Sequence, residues 1–240
     1  MAAIVKTAVI IAGGEGTRLR PLTEDKPKTL VEVGGRPLLE WTIMRLQPLD
    51  IERLVIGVAY KADRIIEFMD RKKNFGIPVV EYKPHNTSGS TGQAFRHCIK
   101  GVVDDDIFLG MHSDDLTNMN IGAMIADHIK NRPILTIGLA PLKVDKGVVT
   151  LDGNGMITGF KYGGEMPDKP INMGTYVMSR EILDYLPESG SMDETAFPKL
   201  ASERKARGYL LRKGEEWTSV DAKRDIPVAE DYLRRWGYIR

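Results

Sequence analysis

The chain has 240 residues, 42% hydrophobic and 28% charged, with a formal net charge of +1. That balance is ordinary for a globular protein able to bury a substantial core, and it argues against a generally basic nucleic-acid binder while leaving room for a local cationic pocket. Cys98 is the only cysteine, so no intrachain disulfide forms, and no apolar stretch approaches the roughly 20 residues that span a bilayer.

In chain order, the first expected element is a buried strand over Ala8 to Ala12, a short apolar run bounded by glycines. Helical spacing then predicts a helix over Leu38 to Leu46, ending near Pro48. Leu54 to Ala59 reads as a second strand, and Ala62 to Met69 as a helix with Ile65, Ile66 and Met69 on one face. Ile77 to Tyr82 is a third strand, Thr91 to Ile99 a helix with Ala94, Phe95 and Cys98 inward, and Asp106 to Met111 a fourth strand. Cys98 in this periodic setting reads as a small core residue. Strands alternating with helices predict right-handed βαβ units and a parallel sheet.

From Ile134 the texture changes. Ile134 to Pro141, Gly147 to Leu151, Met156 to Tyr162 and Ile171 to Met178 are short strand candidates between glycine-rich turns. Asp152-Gly153-Asn154-Gly155 is a hairpin signal. Helices return at Arg180 to Leu186, Asp193 to Arg204 and Asp225 to Trp236. The expectation is an α/β fold: a Rossmann-like mixed, mostly parallel sheet flanked by helices, with a β-rich second half. No Pro/Ser-rich linker appears, so residues 1–240 read as a single domain with two halves, 1–133 and 134–240.

The densest chemistry follows the first strand. Gly13, Gly14 and Gly16 come at once, and glycine lets a ligand approach the main chain closely. Successive amides in such a loop form a concave anion site. Arg18, Arg20, Lys26 and Lys28 arrive within a dozen residues, concentrating cations where a polyphosphate would sit. The spacing is not that of a P-loop, and Leu19 stands where a dinucleotide-binding loop needs Gly or Ala. Further on, Asp114 and Asp115 end a predicted strand. Adjacent acids there suit a hard divalent cation, and a capped turn reads equally well from these residues alone.

The stretch Ala12 to Thr23, followed by Pro27 to Leu30 and Gly35 to Pro37, resembles the signature of the sugar-1-phosphate nucleotidyltransferases. Later segments resemble that family too: Gly89-Ser90-Thr91-Gly92 its base loop, Gly147-Val148-Val149 its sugar-side strand, Ile171 to Tyr176 its Ile-Asn-Ala-Gly-Ile-Tyr segment, and Asp193 to Leu200 its Glu-x-x-x-Phe-Pro-x-Leu helix. The resemblance implies a catalytic core without the left-handed β-helix of longer relatives. It also implies transfer of a nucleotidyl group from a nucleoside triphosphate to a sugar 1-phosphate, with Mg²⁺ as cofactor; the lack of a spanning stretch or signal-peptide pattern makes a cytoplasmic protein the expectation.

Carried over residue by residue, the resemblance makes Arg18 and Lys28 catalytic. Ala12, Gly13, Gly14, Gly16, Thr17, Gly89 and Ser90 become nucleotide-binding, and Gly147, Lys161 and Asn172 acceptor-binding. Asp114 is the first metal ligand, Asp115 the next choice. The chain departs from the family where Ser219 replaces the second metal-binding Asp. Asp221, two residues on and on the same face of an extended strand, is the expected substitute. A helix N-cap is the plainer reading of Asp221, a role Asp225 also fits. The chain departs again where Tyr162-Gly163-Gly164 replaces the family's Glu-Lys-Pro.

In-line displacement at the α-phosphorus needs alignment and charge neutralisation more than a protein nucleophile. Two alternatives stay open: a cytidylyltransferase for a non-sugar phosphate such as phosphocholine, and a non-catalytic nucleotide-binding regulatory subunit. The expected partners are a nucleoside triphosphate and a sugar 1-phosphate, with no nucleic acid and no membrane. The family's dimers and tetramers leave a homo-oligomer open.

Overall fold

The computed structural model describes residues 5–86 and 90–240. In chain order, β1 (Thr7–Ile11) leads into a glycine loop and a 3₁₀ turn at Thr17–Leu19, then a second 3₁₀ turn at Lys28–Leu30. A two-residue ribbon, β2 (Glu32–Val33) with β3 (Arg36–Pro37), precedes α1 (Leu38–Met44). Next come β4 (Arg53–Val58), α2 (Ala62–Arg71), β5 (Val79–Pro84), α3 (Thr91–Ile99), β6 (Ile107–His112), β7 (Asp115–Thr117) and α4 (Ile121–Asn131). The second half holds β8 (Leu135–Leu151), β9 (Ile157–Ser179), α5 (Ala196–Ser202), β10 (Ala206–Leu210), β11 (Trp217–Ser219) and α6 (Asp225–Arg235).

Seven strands form one sheet in the order β10-β8-β9-β6-β1-β4-β5. β1 pairs in parallel with β4 and β6, β4 with β5, and β10 with β8. β9 runs antiparallel to both β6 and β8. The sheet is therefore mixed and mostly parallel, as expected.

Both faces of its centre are covered, which explains the unbroken apolar runs. Along β1, Ala8 and Ile10 pack with Leu54, Ile56, Leu109, Ile43 and Ile65, while Val9 packs on the other face with Val55, Phe108, Phe95 and Tyr176. A third cluster lies beyond the sheet, where Leu19, Val31, Leu38 and Trp41 meet Leu116, Val220, Ala229 and Leu233. It ties the segment after the glycine loop to β7, to the residue after β11 and to α6. Segments remote in sequence are thereby fixed around one end of β1.

Several elements differ from the sequence expectation. The strand candidates at Ile134 and Gly147 are one continuous β8, and those at Met156 and Ile171 one continuous β9, joined over 14 cross-strand pairs with four register shifts. Polar residues such as Lys143, Asp145 and Lys146 interrupt the hydrophobic pattern without interrupting the ladder, because cross-strand hydrogen bonds do not depend on side-chain polarity. The turn between them is the expected one: Asp152 Oδ1 accepts the amides of Asn154 and Met156 at 2.8 and 3.0 Å. α5 starts at Ala196 rather than Asp193, and α4, β7, β10 and β11 were not anticipated.

Candidate active site

The glycine loop lies at the carboxyl end of β1, where open α/β sheets bind ligands. Ala12 is buried, and its amide donates to Gly57 O at 2.8 Å. A Cβ on Gly13 would stand 2.5 Å from the His85 ring, so that position needs glycine for contact. The space beside Gly14 is open. Gly16 has φ +66°, and a Cβ there would come within 2.8 Å of Lys28 Cβ. Thr23 Oγ1 donates to Gly16 O at 2.8 Å and Lys28 N to Gly14 O at 3.2 Å, folding the loop back onto the Lys28 turn. Thr17 and Arg18 are exposed beside it, while Leu19 anchors the turn in the third cluster.

Lys28 Nζ donates to Asp114 Oδ2 at 2.6 Å and to Asp221 Oδ1 at 2.7 Å. Asp114 follows β6. Asp221 reaches it because β11 pairs antiparallel with β7, Ser219 opposite Asp115, and Val220 N donates to Asp114 O at 3.1 Å. Asp221 is not the cap of the last helix. The N-cap position is Arg224, which makes no side-chain cap; Asp225, the first residue of α6, instead holds the segment before the helix, its Oδ2 accepting the amides of Asp221 and Ala222 at 2.9 and 2.7 Å. Burial opposes the Lys28 charge, but the two carboxylates outweigh it and hold its pKa above the usual lysine value. Burial likewise pushes the Asp221 carboxyl up; the Lys28 ammonium, Ser219 and the nearby Arg18 charge prevail and bring it below the usual range. Arg18, Lys28, Asp114 and Asp221 thus share one electrostatic neighbourhood.

Asp115 stands beside Asp114 in a more enclosed position. It is buried on β7, and Trp217 Nε1 donates to its Oδ1 at 3.0 Å. Burial and the neighbouring Asp114 charge push its pKa well above the carboxylate range. Carboxylate oxygens of Asp114 and Asp115 and a His112 nitrogen lie within 4.8 Å of one another. His112 is held between the rings of Phe95 and Tyr176, with centroids 5.9 and 5.7 Å away.

Asn172 borders this cluster. Its Nδ2 donates to Tyr176 Oη at 2.9 Å and Asp193 Oδ1 at 3.3 Å, and its Oδ1 accepts Gly174 N at 3.0 Å. Asp193 and Tyr176 are polar groups at this edge that sequence reasoning did not assign. In the sequence Asp193 reads as a helix start and as the counterpart of the family's Glu, with nothing to place it on Asn172. Ser90 precedes α3 and its carbonyl accepts Ala94 N at 3.1 Å; Gly89 lies outside the described residues. Gly147 and Lys161 sit far out on the β8–β9 ribbon. Gly147 is eight residues past Leu139, the residue opposite Asn172, and Lys161 pairs with Val148.

The sheet, with a glycine loop at the carboxyl end of β1, defines an open α/β protein. The chain belongs to the nucleotidyl transferase family, whose model matches residues 7–232. It is 28% identical over 233 residues to the mannose-1-phosphate guanylyltransferase of Mycobacterium tuberculosis, covering 95% of this chain and 62% of that protein. It is 38% identical over 127 residues to the UTP–glucose-1-phosphate uridylyltransferase AglF of Haloferax volcanii, covering 52% of this chain and 50% of that protein. The chain thus matches between half and about three-fifths of the length of these curated relatives. Among solved structures it shares its fold with HddC from Yersinia pseudotuberculosis complexed with GMP-PN, at a TM-score of 0.70, 23% identity, and coverage of 95% of this chain and all of that one. Among the described residues, no helix is long and apolar enough to cross a membrane.

Proposed function

We propose that the protein transfers a nucleotidyl group from a nucleoside triphosphate to a sugar 1-phosphate, giving an NDP-sugar and pyrophosphate. The observation that carries this reading is the meeting of Lys28 with Asp114 and Asp221 beside Arg18 and the glycine loop. The names of the relatives point to the same reaction class, with guanylyl and uridylyl transfer both represented. The base therefore stays open within the proposal.

In this reading the loop around Gly13, Gly14 and Gly16 receives the nucleotide, with Thr17 and Ser90 at its margins. Arg18 faces the β- and γ-phosphates and offsets charge gathering on the leaving pyrophosphate. Lys28 moves its ammonium from the two carboxylates toward the α-phosphate. An oxygen of the sugar 1-phosphate attacks the α-phosphorus in line, the bond to the bridging oxygen breaks, and pyrophosphate departs. Positioning and charge neutralisation supply most of the acceleration. Asn172, oriented by Tyr176, and Asp193 offer hydrogen-bonding groups for acceptor hydroxyls.

Asp114 and Asp221 fit Mg²⁺. Both are oxygen donors, they already converge on one cation, Lys28, and hard cations favour carboxylates. When bound, Mg²⁺ supplies Lewis-acid polarisation of phosphate oxygens. Asp115, held by Trp217 and with burial disfavouring its charge, lies beside Asp114. The absence of a membrane-crossing helix among the described residues suits a cytoplasmic enzyme, and residues 1–240 act in this reading as one nucleotidyltransferase domain.

The test is Mg²⁺-dependent pyrophosphate release from the purified chain, with Arg18→Ala and Lys28→Ala alongside. Loss of turnover in both variants, with circular dichroism unchanged, is the expected result. Undiminished turnover in either removes that residue from the catalytic set.

A further inference from the structure

His112, at the end of β6, and His128, on α4, both pack into the fold, and the fold treats them differently. His128 has both ring nitrogens in hydrogen bonds, with Thr136 Oγ1 at 2.8 Å and Ser179 Oγ at 3.1 Å. His112 is left open. Its Nε2 is shielded from solvent and has no hydrogen-bond partner among the described residues. Its Nδ1 faces Asp115 Oδ2 at 3.9 Å, beyond hydrogen-bond reach. A shielded polar atom left unpaired is destabilising, and native structures rarely keep one without a reason such as an ion.

The ring cannot easily turn away. Phe95 stacks on it with 25° between the planes, and Tyr176 meets it edge-on at 72°. Both of those rings are fully buried. Asp115 is held as firmly: it is 6% exposed, and Trp217 Nε1 donates to its Oδ1, leaving Oδ2 turned toward the imidazole. Gly174 keeps the ground beside them clear. Its φ is +67°, and a Cβ there would stand 2.0 Å from Asp115 Oδ2 and 3.1 Å from His112 Nδ1. One donor atom each from His112, Asp114 and Asp115 lie within 4.8 Å of one another. Metal–ligand bonds of about 2.1 Å put opposite ligands of one ion about 4.2 Å apart, so small side-chain movements close the set on an ion.

We propose that the divalent ion received by Asp114 takes His112 as a nitrogen ligand, so that this chain prefers a first-row transition metal such as Mn²⁺ or Co²⁺ over Mg²⁺. The inference rests on the metal site of the proposed function and adds to it a ligand and a class of metal. Mg²⁺ is a hard ion that favours oxygen ligands and gives up its waters reluctantly. Transition ions accept imidazole nitrogen and gain affinity from it. Mg²⁺ remains a weaker occupant through the carboxylates alone. A ligand fixed by packing before the ion arrives also costs less to order than one on a mobile loop. The two aromatic rings beside His112 serve that purpose, and they explain why an imidazole is tolerated there without a hydrogen bond.

The experiment reads the metal directly. Electron-spin-echo spectroscopy of Mn²⁺ bound to the full chain, prepared with isotope-labelled histidine, should show a histidine nitrogen coupled to the ion. That coupling should vanish in His112→Phe, which keeps the ring packing, and persist in the control His97→Gln, an exposed residue on α3. Calorimetric titrations should show a preference for Co²⁺ over Mg²⁺ that falls at least about tenfold in His112→Phe, with Mg²⁺ affinity little changed. No nitrogen coupling in the wild type overturns the proposal, and that readout needs no variant to fold. Coupling that survives His112→Phe, or an unchanged metal preference, overturns it too. Neither measurement involves turnover. Pyrophosphate release without nitrogen coupling sinks the His112 assignment and leaves the reaction standing, whereas coupling without release does the reverse.

Discussion

Lys28 Nζ lies 2.6 Å from Asp114 Oδ2, joining the turn after the glycine loop to the end of β6 across 86 residues of sequence. The pair is largely shielded: the Lys28 side chain is 13% exposed and that of Asp114 27%. Asp221 completes the triad from the far end of the chain. This contact organises the candidate site, and most of the testable consequences come from it.

Replacing Lys28 with Ala leaves Asp114 and Asp221 facing each other without their cation. Turnover should fall by more than tenfold, at least about 1.4 kcal/mol of transition-state stabilisation. The variant should also gain more thermal stability from added Mg²⁺ than the wild type does, because the carboxylates lack an internal counter-ion. Steady-state pyrophosphate release and melting curves with and without Mg²⁺ check both effects. A variant with unchanged turnover would remove Lys28 from the chemistry.

The three acids should separate. Asp114→Asn and Asp221→Asn should each lower activity and weaken the response to Mg²⁺. Asp115→Asn should be much milder, because Asn still accepts the Trp217 Nε1 bond and burial already disfavours the Asp115 charge. Mg²⁺ titrations of activity for all three make the comparison. Equal loss at Asp115 and Asp114 would show that both carboxylates serve the metal.

Gly174→Ala should be strongly destabilising. The residue has φ +67°, and a Cβ would stand 2.0 Å from Asp115 Oδ2. Positive φ alone costs a non-glycine residue about 1–3 kcal/mol, and the clash with a buried carboxylate adds to it. Denaturant unfolding should reveal the loss, whereas Gly14→Ala, with open space at its Cβ, should unfold much like the wild type.

Stability should decline on mild acidification because of His128. It is fully buried between Thr136 Oγ1 at 2.8 Å and Ser179 Oγ at 3.1 Å, and burial lowers its pKa to about 4. A folded-state pKa below the unfolded value means that the unfolded chain takes up the proton first. The contribution is therefore intact above about pH 6.5 and is lost progressively as pH falls toward 4, at up to about 1.4 kcal/mol per unit. His128→Gln should flatten that part of the profile. An identical slope in wild type and variant would assign the acid sensitivity to other groups.

What the sequence revealed follows from the range of the interactions involved. β1 and its glycine loop are local patterns, and both were readable. The arrival of Asp221 at Lys28 depends on β7 and β11, each only three residues long, too short to carry a period. α4 was missed although Ile121, Met124 and His128 line its buried side, because a histidine there breaks the apolar signature and becomes acceptable only through Thr136 and Ser179. The Asn172–Asp193 contact spans 21 residues and depends on how the chain turns after β9, which no motif records.

The most direct test of the central claim is pyrophosphate release by the full chain with Mg²⁺, across the common nucleoside triphosphates and a panel of hexose, heptose and aminosugar 1-phosphates plus phosphocholine. The account predicts release with one triphosphate and a sugar 1-phosphate, abolished by chelation and by Arg18→Ala. Release with phosphocholine alone, or none from folded protein that binds a triphosphate, would contradict it.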